Sequence, residues 1–297
     1  MTARRLDGVL LLDKPAGLGS NAALQAAKRL FAATKAGHAG TLDPLATGLL
    51  PILFGEATKL SLLALDADKE YLARALLGVT TSTGDAEGEV LERRACAVRE
   101  ADLEPVLARF RGDVDQVPPM YSALKRDGRP LYALAREGRE VPRAVRRVRI
   151  YALERTGFDG VHLDLRVRCS KGTYIRTLVE DIGRALGCGA HLAALRRIAA
   201  ARFRIEAATT LDALQSEDAA ARDRHLLPVA SLLAGLPVVA LPMALAARFR
   251  QGQVLRLPQA PLGRCGVYAE HGALLGLGEG RGAGELHPRR LLRHASG

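Results

Sequence analysis

Between residues 161 and 186 the apolar residues of this chain change from a two-residue spacing to a helical one. Apolar side chains first alternate with polar ones, as in a half-buried strand, at Val161, Leu163, Leu165, Val167 and Cys169. They then recur at helical intervals, with Gly187 as the stop, at Ile175, Leu178, Val179, Ile182 and Leu186. This order predicts a sheet with helices packed against it.

Other segments extend this pattern over the chain. Further strands are predicted at 9–12 and 70–79, and further helices at 20–31 and 103–110. Ser20 is the predicted N-cap of the first helix, because a serine hydroxyl can bond to the free N–H groups of a first turn. After Pro237 short strands predominate, with a hairpin predicted at His271-Gly272. The fold class is therefore α+β, a mixed sheet with helices followed by a small β-rich domain.

The segment from Leu226 to Ala247 contains 22 residues without a charge, which is long enough to cross a bilayer. Three prolines and Gly235 interrupt it, and the missing backbone hydrogen bonds would be costly in lipid. We interpret it as a domain junction with a short strand at Val238 to Leu241. The sequence thus predicts two domains, residues 1–232 and 237–297, and no association with a membrane.

Positive charge is concentrated in two blocks. Lys and Arg number 43 against 32 Asp and Glu, for a net charge of +11. Residues 124–155 hold 10 basic and 4 acidic residues, residues 248–297 hold 8 and 3, and these excesses of 6 and 5 make up the whole net charge. Because neutralising phosphates releases counterions, two basic blocks beside a neutral body predict a surface that binds a nucleic-acid backbone.

Cofactor motifs are weak in this sequence. The four cysteines form no CxxC pair, no histidines have metal-site spacing, and no phosphate-binding loop is visible, which predicts reduced thiols and no metal. The stretch Gly17-x-Gly19-x-x-Ala22 matches a dinucleotide fingerprint, but residues 34–41 lack the apolar run that its second strand requires. A dinucleotide-dependent oxidoreductase therefore stays as an alternative from another enzyme class.

The most unusual stretch runs from Gly37 to Gly48, with the sequence GHAGTLDPLATG. Its glycines and Pro44 favour backbone shapes that other residues resist, so the loop can hold one carboxylate, that of Asp43, in an exposed position. Because no second carboxylate motif or Ser-His pair accompanies it, Asp43 would act as a lone nucleophile. An ordinary Asp-Pro turn remains the alternative.

This loop resembles the catalytic loop of the TruB family, bacterial synthases that make pseudouridine at position 55 of tRNA. Four more segments resemble family motifs in the family's order: Asp13-Lys14-Pro15, Lys69-Glu70-Tyr71, residues 118–125 (PPMYSALK), and residues 169–178 (CSKGTYIRTL) with Leu195-Arg196-Arg197 after it. The tail, with GLGE at 276–279 and PRRL at 288–291, resembles the small PUA-type RNA-binding domain of bacterial members.

The resemblance implies a pseudouridine synthase fold over residues 1–232, with a basic RNA-binding insertion at about 124–155, and a PUA-type domain over 237–297. It implies that Asp43 is the nucleophile, Tyr71 stacks on the flipped base, and Arg176 is the cation beside Asp43. Tyr71 would also help to bind the nucleotide. The other implied substrate-binding residues are His38, Tyr174, Leu195 and Lys14.

The implied reaction isomerises uridine to pseudouridine in the T-arm of tRNA and needs no cofactor or metal. The implied protein is a cytoplasmic monomer without an obligate protein partner. A guide-RNA-dependent synthase of the dyskerin type shares the Asp loop and the PUA domain, although the ending Leu45-Ala46-Thr47-Gly48 resembles the stand-alone bacterial form. A catalytically silent RNA-binding protein of the same fold is a further alternative, which the joint presence of Asp43, Tyr71 and Arg176 disfavours.

Overall fold

The computed structural model describes residues 3–122 and 124–293, which form two main sheets with helices packed against them. Its strands are β1 Gly8–Lys14, β2 Ala36–His38, β3 Thr47–Phe54, β4 Lys69–Leu77, β5 Val79–Thr81, β6 Val90–Arg93, β7 Gly112–Gln116, β8 Lys125–Arg126, β9 Arg129–Pro130, β10 Arg146–Phe158, β11 His162–Cys169, β12 Ala190–Ala200, β13 Phe203–Arg204, β14 Thr209–Thr210, β15 Leu226–Leu227, β16 Val238–Leu241, β17 Leu255–Arg256, β18 Gly263–Ala269, β19 Leu274–Arg281 and β20 Glu285–Leu291. Its α-helices are α1 Ser20–Leu30, α2 Ser61–Leu65, α3 Glu100–Ala108, α4 Leu131–Arg136, α5 Ile175–Ala185, α6 Leu211–Ser216, α7 Ala219–Asp223 and α8 Met243–Arg250.

The larger sheet has its central strands in the order β14-β1-β3-β12-β4-β11-β10-β7. Neighbours in this order are antiparallel except β1 with β14 and β12 with β3, which are parallel. β12 therefore lies between β3, which follows the Asp43 loop, and β4, which carries Tyr71. Segments far apart in sequence meet at this one place in the sheet.

The larger sheet is covered on both faces, as the apolar run of β1 requires. Leu10 and Leu12 pack in one core with α1, α3 and α5, while Val9 and Leu11 point into a second core on the other face. The smaller sheet, β16-β18-β19-β20-β17, has its own core around Phe249 of α8. The second core also includes Leu277 and Leu292, so the C-terminal segment packs directly against the larger sheet's elements.

Most elements predicted from the apolar pattern are present. They are β1, β4, β11, β16, α1, α3, α5 and the hairpin of β18 with β19. One expectation was wrong: the N-cap of α1 is Gly19, with Ser20 as the first helical residue. Residues 34–41 contain the short strand β2, which is not an apolar run and pairs antiparallel with β3. Within the described residues no helix is long and apolar enough to span a membrane. Ala123 of the 118–125 motif and residues 1–2 and 294–297 of the predicted domains lie outside the described residues.

Candidate active site

A pocket of about 380 Å³ opens where the loop before β3, the strands β4 and β12, and the start of α5 meet. Five of the residues predicted from the sequence line it: Asp43, Tyr71, Tyr174, Arg176 and Leu195. The described residues that line it also include Lys69, Ser122, Arg146 and Arg197, and Asp43 is the only carboxylate among the described lining residues.

The backbone that carries Asp43 is held by the chain's N-terminal segment. The Ser20 hydroxyl donates to the Leu42 carbonyl over 2.8 Å and accepts from the Leu42 N–H over 2.7 Å. The Gly17 N–H donates to the Pro44 carbonyl over 2.8 Å. The serine therefore fixes the residue before Asp43 instead of capping α1, and the glycine fixes the residue after it.

Asp43 forms an ion pair with Arg176 across the pocket. The Arg176 Nε lies 3.1 Å from the Asp43 Oδ2, and the arginine side chain is only 4% exposed, whereas 38% of the aspartate side chain is open to the pocket. Burial in the pocket raises the pKa of the Asp43 carboxyl above its ordinary value, and Arg176 opposes that rise. The charge on the Asp43 carboxyl therefore depends on this arginine.

Arg176 itself is rigidly placed. Its Nη1 donates to the Thr83 carbonyl over 2.9 Å and its Nη2 donates to the Tyr121 carbonyl over 2.6 Å. Asp85, which is also buried, lies 3.5 Å from the Nη1. Because a guanidinium is planar, these contacts leave the Nε edge aimed at Asp43.

Tyr71, Leu195 and Tyr174 supply the aromatic and apolar part of the pocket. Tyr71 is buried on β4, and burial raises the pKa of its phenol while the Arg197 guanidinium opposes the rise. The backbone of Tyr174, just before α5, is clamped at both polar atoms by the buried Gln116 side chain, over 3.0 and 3.2 Å. A flat base between these side chains would be removed from water, as base-modifying enzymes require.

Two predicted substrate-binding residues are not among the residues that line the pocket. Lys14 is fully buried and donates to the carbonyls of Pro15, Leu18 and Pro44, the last at 3.4 Å. Burial lowers the pKa of its amine to about 8. His38 lies on β2, and its buried Nδ1 has no hydrogen-bond partner among the described residues. Burial lowers the pKa of its imidazole.

Several residues that build this site carry no signal of their own in the sequence. Asp85 and Gln116 orient Arg176 and Tyr174, and Lys69 holds the end of α2 through the carbonyls of Ala64, Leu65 and Ala67. Lys69 and Arg197 stand out in the sequence only as members of motifs. Within residues 3–122 and 124–293, no three His, Cys, Asp or Glu side chains form a group that could hold a metal ion.

Family models and curated relatives identify the chain's family. The N-terminal domain of TruB family pseudouridylate synthases matches residues 28–175, and two TruB C-terminal domain models match residues 176–234 and 237–292. The chain is 56% identical to tRNA pseudouridine synthase B of Azoarcus sp. (strain BH72) over 99% of its length and 97% of that protein's. The chain belongs to the TruB family. The corresponding protein of Dechloromonas aromatica (strain RCB) is also 56% identical, over 98% of this chain and 97% of its own.

Solved structures confirm the predicted fold class of this TruB family member. A chain in the crystal structure of a Cbf5-Nop10-Gar1 complex superposes with a TM-score of 0.72 at 28% identity, covering 93% of this chain and 79% of that one. A chain of an archaeal box H/ACA sRNP Nop10-Cbf5 complex gives 0.73 at 25% identity, covering 97% and 86%. The chain is therefore a pseudouridine synthase, both in family and in fold.

Proposed function

We propose that this chain isomerises uridine to pseudouridine at position 55, in the T-arm of tRNA, without a guide RNA. The observation that carries the proposal is the ion pair of Asp43 with a buried Arg176 in a pocket that Tyr71 and Leu195 also line. A fixed carboxylate beside an aromatic ring suits nucleophilic attack on a flipped pyrimidine nucleotide. The curated relatives, which are named tRNA pseudouridine synthase B, support tRNA as the substrate.

The reaction breaks the bond from N1 to C1′, turns the uracil while it stays bound, and rejoins it through C5. Asp43 is the nucleophile, at the ribose C1′ or at the uracil ring, and Arg176 favours its charged form. Tyr71 stacks on the base, and its hydroxyl is a candidate for moving the C5 proton. Leu195 and Tyr174 hold the nucleotide from the other sides of the pocket. The exchange of one bond for another needs no electron acceptor and no phosphate energy.

Residues 1–232 would form the catalytic domain, and residues 237–297 a PUA-type RNA-binding domain, in a cytoplasmic monomer without an obligate protein partner. The separate core around Phe249 supports the division. The basic blocks support RNA binding, since exposed arginines occur both in the 124–155 insertion and on α8. The contacts of Lys14 favour a role in supporting the Asp43 loop. His38 stays a candidate contact to the nucleotide.

A guide-RNA-dependent synthase is the second candidate function. The chains from Cbf5 complexes share the fold, but they are only 25% to 28% identical to this chain. The tRNA pseudouridine synthase B relatives are 56% identical over almost the full length of both proteins. This difference favours the stand-alone enzyme.

The decisive experiment incubates the pure protein with an unmodified tRNA transcript and maps pseudouridine, with no guide RNA or nucleotide added. We expect one pseudouridine at position 55 with the wild type. Asp43→Asn, which keeps the shape and removes the charge, should lose at least about 10⁴-fold in turnover, as when other catalytic nucleophiles are removed. Its tRNA affinity should stay within about three-fold, because asparagine has nearly the size and shape of aspartate and the other contacts to the RNA remain.

Asp212→Asn is the matched control, because Asp212 is an exposed aspartate at the start of α6. It should react like the wild type. Pseudouridine formed by Asp43→Asn well above a no-enzyme control would refute the assignment of the nucleophile. Pseudouridine formed only after a guide RNA is added would favour the second candidate.

A further inference from the structure

Arg197 is one of the most deeply buried charged residues in this protein. The residue is 1% exposed, and among the described residues no carboxylate lies within ion-pair distance of it. Burying a charge without a counter-charge is unfavourable unless its donors are all used by well-placed acceptors. What Arg197 contacts therefore indicates why the position holds an arginine.

The Arg197 guanidinium joins the two ends of the loop that carries Asp43. Its Nη2 and Nη1 donate to the carbonyls of Gly40 and Thr41 over 3.1 and 3.4 Å, just before Asp43. Its Nε donates to the carbonyl of Leu49, after the loop, over 2.7 Å. Each of the three guanidinium nitrogens has its own carbonyl acceptor, which suits a planar guanidinium and not a single ammonium group.

The backbone of Arg197 also touches the end of the loop. β12 and β3 pair in parallel with Arg197 opposite Gly48. Gly48 has a φ of +99°, and a Cβ there would come within 2.3 Å of the Arg197 carbonyl. The side chain and the backbone of one residue thus both define where the loop enters β3.

On its other side Arg197 faces the stacking tyrosine. β12 and β4 are antiparallel with Arg197 directly opposite Tyr71, which brings the two side chains together on one face of the sheet. The guanidinium opposes the rise in the pKa of the Tyr71 phenol that burial causes. Arg197 also lines the same pocket as Asp43 and Tyr71.

We propose that Arg197 is a positioning residue of the pseudouridine synthase reaction, because it fixes the Asp43 loop relative to Tyr71. The inference rests on the proposed function, in which Asp43 attacks the nucleotide that Tyr71 stacks on. Both groups must hold the same nucleotide, so a shift of the loop against β4 separates the nucleophile from its target. Misplacement by about 1 Å can cost on the order of 100-fold in rate.

The test compares Arg197→Lys and Arg197→Gln with the wild type on the same tRNA transcript. Arg197→Lys keeps the charge but loses the fork, and Arg197→Gln loses both. Arg74→Lys is the matched control, because it makes the same change on β4, at an arginine in an exposed ion pair with Asp164. Three quantities are measured: the single-turnover rate constant, the tRNA dissociation constant and the melting temperature.

We expect the rate constant to fall about ten-fold in Arg197→Lys and about 100-fold in Arg197→Gln, with tRNA affinity within about three-fold in both. Arg74→Lys should behave as the wild type. A rate constant within two-fold of the wild type in Arg197→Lys and Arg197→Gln would overturn the proposal, as would a loss of affinity that accounts for the whole effect.

Failure of both Arg197 variants to fold would also overturn it, because Arg197 would then be a residue of the fold alone. A wild type that forms no pseudouridine in the transcript would refute the proposed function instead, which keeps the two failures separate.

Discussion

Replacing Arg176 by Gln removes the cation that lies between Asp43 and Asp85. Asp85 is 4% exposed at its side chain and loses the guanidinium 3.5 Å away. Breaking a buried ion pair from one side typically costs about 3–5 kcal/mol, because an uncompensated charge remains buried. At roughly 2–4 °C per kcal/mol for domains of 150–250 residues, the melting temperature should fall by roughly 6–20 °C.

The double variant Arg176→Gln with Asp85→Asn separates stability from chemistry. It removes the stranded charge, so it should recover at least about half of the stability that Arg176→Gln loses. Turnover should stay low, because Asp43 still lacks the cation that opposes the rise of its pKa, so a smaller fraction of the carboxyl is ionised at a given pH. Any residual activity should move to higher pH, where a carboxyl with a raised pKa ionises.

Thermal unfolding by circular dichroism and single-turnover pseudouridine formation over a pH series measure the two effects. Asp85→Asn alone is the control, because it introduces the same amide while Arg176 is still present. If the double variant melts no higher than Arg176→Gln, the buried carboxylate is not the cause of the instability. If Arg176→Gln retains near-normal turnover with an unchanged pH profile, Arg176 does not control the charge of Asp43.

Two further predictions test the base contact and the tail. Tyr71→Leu should abolish turnover because it removes the ring, while Tyr71→Phe shows whether the hydroxyl is needed. Pseudouridine mapping is the assay, and near-normal turnover of Tyr71→Leu would exclude stacking. Arg248→Gln with Arg250→Gln, two exposed positions on α8, should raise the Michaelis constant more than it lowers turnover. The slope of the logarithm of the tRNA association constant against the logarithm of the salt concentration should also flatten, by about 0.7–0.9 for each phosphate that is no longer neutralised. An unchanged slope would show that this helix does not bind RNA.

The α8 variant tests the tail better than a deletion does. A chain that ends near Leu236 would lack Leu277 and Leu292, which pack in the same core as Leu60 and Leu232. Such a deletion would expose apolar surface of the larger sheet's elements and so change stability as well as RNA binding. The composition of the tail predicted its positive charge, whereas this apolar packing depends on tertiary structure.

Local pattern was sufficient for β1, β4, β11 and the main helices, but it did not predict β3, β10 or β12 of the larger sheet. The alternation of β11 and the helical spacing of α5 are properties of neighbouring residues, so they were visible in sequence. Asp43 could also be singled out from the sequence, because glycines and a proline mark its loop. The partner of Asp43 could not be found from local pattern, since Arg176 looks like an ordinary residue in the first turn of a helix. Its role was predicted from the family resemblance alone, and hydrogen bonds to the carbonyls of Thr83 and Tyr121 hold its guanidinium beside Asp43.

Arg196 and Arg197 show where sequence reasoning stops. The two residues are chemically identical neighbours on β12, and strand alternation predicts only that one points to each face. Arg196 stays 40% exposed and pairs with Asp13, whereas Arg197 is buried against Gly40, Thr41 and Leu49. Which arginine side chain is buried depends on the register of β12 with β3 and β4. The irregularities of that register near residues 193 and 198 have no local signal in the sequence. The residue that ties the Asp43 loop to the sheet is therefore determined by strand pairing, which depends on segments far from it in the chain.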